Sequence, residues 1–373
     1  MSVKKYTLTK ETKKELGVKL FRIKALISFG NIKKEELGGW IEKEDNLSQD
    51  GDAWVYENAW VYGNAQVSGS ARVYGDTRIS ENAQVSGSAR VYGDTRISEN
   101  AQVSGSARVY GDARVYGDAQ VYEDARISGD AQVYGGTCVS GNAWVSGNAW
   151  VSGNARVYED TQVSENAWVY GNAWVYGGAR VSGNAQVYGG ACVSENACVS
   201  GNALVYGNAC VYENAQVSGS ARVFGNAWVY GGAQVYGNAR VYENTRVYGN
   251  AWVYENAQVY GNAWVSGNAW VSGNARVYED TQVSENARVF GNAWVYGGAQ
   301  VYGNAWVYGD ARVYGDAQVY GNAQVYGNAL VYNKLLCEFG YYFACRQKDW
   351  QITEVPVDEN SILLVIDYKK PTK

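Results

Sequence analysis

The chain of 373 residues contains no histidine. That removes the imidazole general base, the His-activated nucleophile and the imidazole metal ligand. Proline stands at 2 residues and methionine at 1, against 45 glycines. So little proline beside so much glycine excludes collagen, and an aromatic content of 14% excludes a disordered linker. Six cysteines in a chain this long are not a disulfide framework, and none has the CxxC spacing of a zinc site. No apolar run is long enough for a transmembrane helix. Met1 to Gly17 lacks the apolar core of a signal peptide. A net charge of −5 favours solubility and points to neither nucleic acid nor membrane. The expectation is a cytoplasmic protein with no metal and no cofactor.

What is present is a repeat. From Ala53 to Ala329 a small residue recurs at every sixth position without an insertion, giving 47 hexads. It is Ala, or Thr at Thr77, Thr95, Thr137, Thr161, Thr245 and Thr281. Two positions on stands Val, replaced only by Ile79, Ile97 and Ile127. Tyr, Ser or Phe follows, then a turn pair, usually Gly-Asn, Gly-Asp or Glu-Asn. Ala and Val, two apart, face one side of an extended segment, and the residue between them faces out. The fourth residue is expected to face out by the same alternation. The turn pair makes a corner, since both of its residues tolerate positive φ. One such hexad buries nothing alone, so copies must coil and stack. Gln66 to Ala83 recurs unchanged as Gln84 to Ala101, a period of 18 residues. Three hexads per coil, and 15 to 16 coils, follow. At ~4.8 Å per coil the rod is about 75 Å long.

This pattern resembles the hexapeptide-repeat, left-handed parallel β-helix proteins, which carry an aliphatic residue every six and a small residue two before it. Gly38-Gly39-Trp40-Ile41 and the run from Leu47 to Tyr56 also resemble the start of the solenoid in a narrower group. These are phage and bacterial proteins, YdcK-like and often labelled transferases. The left hand and a phage origin are what the resemblance implies. Where the family usually has Gly after the aliphatic residue, this chain has Tyr or Ser, which makes its exterior aromatic. The fold class expected is therefore all-β: a single-stranded parallel β-helix with small β caps at both ends. Acyltransferases of the family use a His base and a CoA site beside inserted loops, and carbonic anhydrases on the fold use His zinc ligands. Without His or inserted loops, no enzymatic activity is expected.

With a period of 18, outward residues form columns. One column reads Trp54, Arg72, Arg90, Arg108, Arg126, Trp144; another reads Trp60, Arg78, Arg96, Arg114, Gln132, Trp150, Trp168; a third begins Gln66, Gln84, Gln102, Gln120. Amide ladders are expected of the Gln column and offset stacking of the pairs Trp150/Trp168 and Trp252/Trp270. Residues 52–332 hold 15 Arg, no Lys and 23 acids, so the Arg columns read as ion-pair rows and not as a nucleic-acid surface. Asp76, Asp94, Asp112 and Asp130 form a further column, read as corner caps in preference to a Ca²⁺ site. The candidate binding surface is the tryptophan set Trp54, Trp60, Trp144, Trp150, Trp168, Trp174, Trp252, Trp264 and Trp270. Trp144 to Ala167 recurs unchanged at Trp264 to Ala287, an offset of 20 hexads, which is not a whole number of coils. A face-specific array would not survive that shift.

Three domains are expected: 1–51 as an N-terminal β cap, 52–332 as the β-helix and 333–373 as a C-terminal antiparallel β cap. In the first, Tyr6 to Thr9 and Val18 to Ser28 read as strands. In the last, Tyr341 to Arg346, Trp350 to Val355 and Ser361 to Tyr368 read as a meander, with Ile352, Leu363, Leu364 and Val365 covering the end. The function expected is a non-catalytic rod or protein-interaction scaffold. The alternatives are a glycan-binding surface of stacked Trp and Tyr, and an acyltransferase relative without catalytic residues. A protein partner is expected first, a glycan second, self-association is open, and neither nucleic acid nor membrane is expected.

Overall fold

The computed structural model describes residues 3–331 with their side chains, and the backbone of three strands, Tyr342–Cys345, Trp350–Asp358 and Ser361–Tyr368. The chain divides into two compact units, Met1–Asn196 and Ala197–Lys373.

Each hexad supplies one strand, from Trp54–Val55 to Leu330–Val331, 47 in all. The first unit holds 24 of them and the second 23. Pairing is parallel at a separation of 18 residues: Arg72 lies beside Arg90, and Arg90 beside Arg108. The same register holds in the second unit, where Arg222 lies beside Arg240 and Trp252 beside Trp270. Each turn of the solenoid is therefore three hexads. Backbone amides climb from turn to turn, as in Arg72 N to Ala89 O at 2.9 Å and Tyr74 N to Val91 O at 2.8 Å. No helix among the described residues is long and apolar enough to cross a membrane.

The interior is the Ala and Val lining that the alternation predicts. Val55 to Val325 at the third hexad position are fully buried, as are the Ala and Thr two residues before them. A buried Thr hydroxyl is tolerated because the corner supplies acceptors. Thr77 Oγ1 donates to Tyr74 O at 2.7 Å and to Gly93 O at 3.2 Å. Three Ala and three Val per turn make a thin core, so stacked ladders carry much of the stability.

Both turn residues tolerate positive φ, and at most corners only the first adopts it. The first residue of the pair does so, as at Gly63 (φ 66°), and Asn does so only at Asn196 and Asn214 among the described residues. Where Glu replaces that Gly, as at Glu255 (φ 58°), an L-side chain is held in the left-handed region. A hydrogen bond offsets part of the cost: Gly273 N donates to Glu255 Oε2 at 2.6 Å, and Gly261 N to Glu243 Oε2 at 2.8 Å.

Strand β1 (Tyr6–Glu15) pairs antiparallel with β2 (Val18–Ala25), and β2 with β3 (Leu37–Ile41). β3 then pairs parallel with the first turn, Trp40 beside Trp60 and Ile41 beside Val61. This is where Gly38 and Gly39 are required. A Cβ on Gly38 would lie 2.6 Å from Val55 O, and one on Gly39 2.7 Å from Ala59 O. Tyr6, Leu20, Ile23 and Leu47 are buried, and Tyr6 packs on Trp54 of the first turn. Lys5, 2% exposed, donates to Gly51 O at 3.2 Å and Ala53 O at 3.1 Å. Burial pulls its ammonium down to about 8, against the opposing pull of Asp52 and Asp50.

At the other end the meander reading is corrected at its first strand. Tyr342–Cys345 runs parallel to Gln324–Gly327, 18 residues before it, and so continues the solenoid register. Trp350–Asp358 and Ser361–Tyr368 form the antiparallel hairpin. The covering role expected of Ile352, Leu363, Leu364 and Val365 falls on side chains outside the described residues.

Candidate functional site

The outward second position of each hexad carries the Trp, Arg and Gln columns, and the fourth carries Tyr, Phe and Ser. Neighbours in a column are one turn apart. Trp150 and Trp168 stack with centroids 4.9 Å apart and planes 5° from parallel, and Trp252 and Trp270 at 5.1 Å and 2°. These separations are the spacing of adjacent strands. The rings therefore cover one another's faces along the stack and turn their edges outward.

The nine tryptophans do not form one surface. Trp54 is fully buried, packed edge-on against Tyr6 at 6.2 Å and Phe29 at 5.4 Å. Its place in the candidate surface is corrected: the N-terminal strands fold over the first turn and cover it. Its Nε1 is buried without a hydrogen-bond partner. Trp60 lies between Lys13 Nζ at 4.3 Å and Arg78 at 4.6 Å. Trp144, Trp168, Trp174 and Trp264 are exposed, and Trp144 Nε1 donates to Ser128 Oγ at 3.0 Å. Arg156 rests on Trp174 at 5.0 Å.

The Arg columns are not ion-pair rows. Among the described residues the ion pairs are Lys4–Glu44, Arg22–Glu11 and Lys24–Glu35, all before the repeat. Six guanidinium groups of the repeat, those of Arg78, Arg156, Arg246, Arg276, Arg288 and Arg312, lie on indole faces instead. In the second unit Arg246 sits between Trp228 at 5.5 Å and Trp264 at 5.1 Å. Trp294 sits between Arg276 at 5.0 Å and Arg312 at 4.8 Å. Arg288 sits between Trp270 at 4.4 Å and Trp306 at 5.0 Å. The reason is geometric. A second-position side chain meets the same position one turn away, whereas the carboxylates stand at the corners. Trp228, Trp294 and Trp306 were legible from the same 18-residue spacing and belong with the nine.

Amide ladders exist, but at the corners. Asn238 donates to Asn256 at 3.2 Å, Asn256 to Asn274 at 3.2 Å, Asn274 to Asn292 at 3.0 Å and Asn292 to Asp310 at 3.0 Å. Among the described residues one Gln pair is bonded, Gln318 to Gln300 at 3.4 Å. Asn is short and held by the turn, whereas Gln on the open strand face is not. Asp76 and Asp94 of the Asp column line a groove of about 300 Å³ together with Trp60, Arg78 and Arg96. A second groove, about 260 Å³, is lined by Asp124, Arg126, Asn142, Trp144, Asp160 and Gln162. Among the described residues no His, Cys, Asp or Glu side chains converge in threes as a metal site.

The longest aromatic array is one the tryptophan reading missed. Tyr206, Phe224, Tyr242, Tyr260, Tyr278, Tyr296 and Tyr314 stack in one column, centroids 4.8 to 5.3 Å apart and planes within 10°. The period of 18 applied to the fourth hexad position finds it. Burial and the neighbouring phenols raise the Tyr278 hydroxyl to about 12, and raise Tyr242. Burial likewise raises Tyr260.

The family model described as "YdcK Beta solenoid repeat" matches residues 101–117, 107–123, 119–135, 151–165, 215–231, 233–249, 257–273, 269–285, 281–297, 299–315, 306–321 and 323–334. No curated protein matches the chain. Among solved structures, one described as Arabidopsis UDP-N-acetylglucosamine acyltransferase aligns over 58% of this chain and 70% of its own, at 11% identity and a TM-score of 0.23. A likeness that weak carries nothing about activity. The strand pairing at 18 residues and the matches on both units give the same answer: this chain carries repeats that match the YdcK β-solenoid repeat.

Proposed function

We propose that the protein is a non-catalytic cytoplasmic scaffold whose solenoid turns present ring edges, guanidinium groups and corner amides to a protein partner. One observation carries this reading. The segment 144–167 recurs at 264–287, yet its side chains keep different company. Trp150 has Trp168 one turn after it, whereas its copy Trp270 has Trp252 one turn before it and Arg288 one turn after. The copies share a surface character and not a defined site. The absence of His and 47 hexads without an inserted loop support a role without catalysis. A sugar platform offers the face of a ring, and here stacked faces are spent on neighbouring turns, so the glycan reading gains nothing from the columns.

Deletion in register tests this within the first unit. Removing residues 84–101 takes out one whole turn and leaves every downstream column on its face. Removing 84–89 moves every downstream column in that unit by one face, keeps the pairing between downstream turns and changes partners only for the three hexads that stack across the junction. A scaffold with general surface character keeps its partner in affinity capture in both variants. Loss of that partner in the six-residue deletion alone would establish a face-specific site and overturn the reading. Binding on a glycan array that is lost on substituting Trp144 and Trp168 by Ala would overturn it as well.

A further inference from the structure

The tyrosine column of the second unit places phenols in pairs that ordinary proteins seldom hold so regularly. From Tyr242 to Tyr314 five tyrosines follow one another at 18-residue intervals, with centroids 4.8, 4.9, 4.9 and 5.3 Å apart. Their planes lie within 10° of parallel. Each ring is half-buried, so a small oxidant reaches its edge while the strand ladder fixes its root. Phe224 interrupts the series between Tyr206 and Tyr242 with a ring that has no phenol.

We propose that this column is a site of oxidative cross-linking, at which a one-electron oxidant such as a peroxidase ferryl haem or an azidyl radical joins successive turns through dityrosine. Two neighbouring phenols each lose one electron to the oxidant and one phenolic proton to water. The two phenoxyl radicals form a carbon–carbon bond between the ring positions ortho to oxygen. The hydrogens on those two carbons then return to the phenolic oxygens. Two electrons and two protons leave in all, and two equivalents of the oxidant are reduced. Fixed proximity favours this partner over a second molecule. The link would tie turns whose shared core is only Ala and Val.

The sequence makes the product simple to read. Trypsin cleavage after Arg240, Arg246, Arg276, Arg288 and Arg312 places the five tyrosines in five different peptides. The full chain is exposed to azidyl radicals at low protein concentration, then digested and analysed by mass spectrometry. Expected are dityrosine fluorescence, a chain that stays monomeric, and the Tyr260 and Tyr278 peptides joined with the loss of two hydrogens, as for Tyr278 with Tyr296. Tyr278→Phe should lower both links about tenfold or more. Links between Tyr302 and Tyr320, stacked at 5.0 Å, should persist and report the intact fold. Phe224→Tyr should add a new link to the Tyr242 peptide. Cross-links that mainly join two chains, that ignore the 18-residue spacing, or links of the peptide 277–288 that survive Tyr278→Phe would overturn the proposal.

Discussion

At the residue scale, the informative positions are those that do two jobs. Glu255 holds a left-handed φ that Gly would adopt freely, and its carboxylate accepts from Gly273 N. Glu255→Ala keeps the backbone cost and loses the bond, so it should destabilise by about 1 kcal/mol. Glu255→Gly loses the bond but also the strain and should be close to neutral; chemical denaturation of the two variants distinguishes them. Tryptophans separate in the same way. Trp54→Ala removes a fully buried ring and should cost about 3–5 kcal/mol, whereas exposed Trp264→Ala should cost less than about 1 kcal/mol. The stacked tyrosines give a pH dependence. Burial raises the folded-state pKa of Tyr242, Tyr260 and Tyr278, the last to about 12, so these three contribute stability that is fully present below the unfolded value of about 10. That contribution is lost as pH rises from about 10 through 12. Phenolate absorbance and far-UV circular dichroism, followed together, should show delayed ionisation that ends in unfolding.

At the element scale, a strand of two residues is stable only through its neighbours one turn away. Most pairs along the repeat look alike, so the ends differ most. β3 seats the N-terminal strands on the first turn through the close approach of Gly38 to Val55 O. Gly38→Ala cannot keep that contact and should unseat β1 and β2, at a cost of several kcal/mol. Hydrogen exchange should then quicken in β1 to β3 while the turns around Val157 stay protected. Unseating would expose Trp54 and the unpaired first turn, and light scattering should show new association.

At the scale of the whole molecule, a solenoid gains stability turn by turn. Residues 84–101 duplicate 66–83, so their removal takes away one turn and its two neighbour interfaces and creates one identical interface. The shortened chain should keep its circular dichroism spectrum and melt within a few degrees of the parent. A collapse of the melting transition would mean that the turns are not interchangeable.

The sequence by itself determined the strand count, the 18-residue register, the Ala and Val interior and the stacking of Trp150 on Trp168 and of Trp252 on Trp270. Each of these follows from strict periodicity, because a residue that recurs at a fixed interval can have only one class of neighbour. Tertiary structure decided what periodicity leaves open. Which turn residue takes positive φ, and that corner Asn and not strand Gln forms the ladder, depend on side-chain reach at a fixed corner. That Arg246 and Arg288 meet indole and not carboxylate depends on which residue stands one turn away. Trp54 repeats the pattern of Trp144 in sequence, yet it is buried, because non-repeating strands from the start of the chain fold over it. No local pattern encodes that contact.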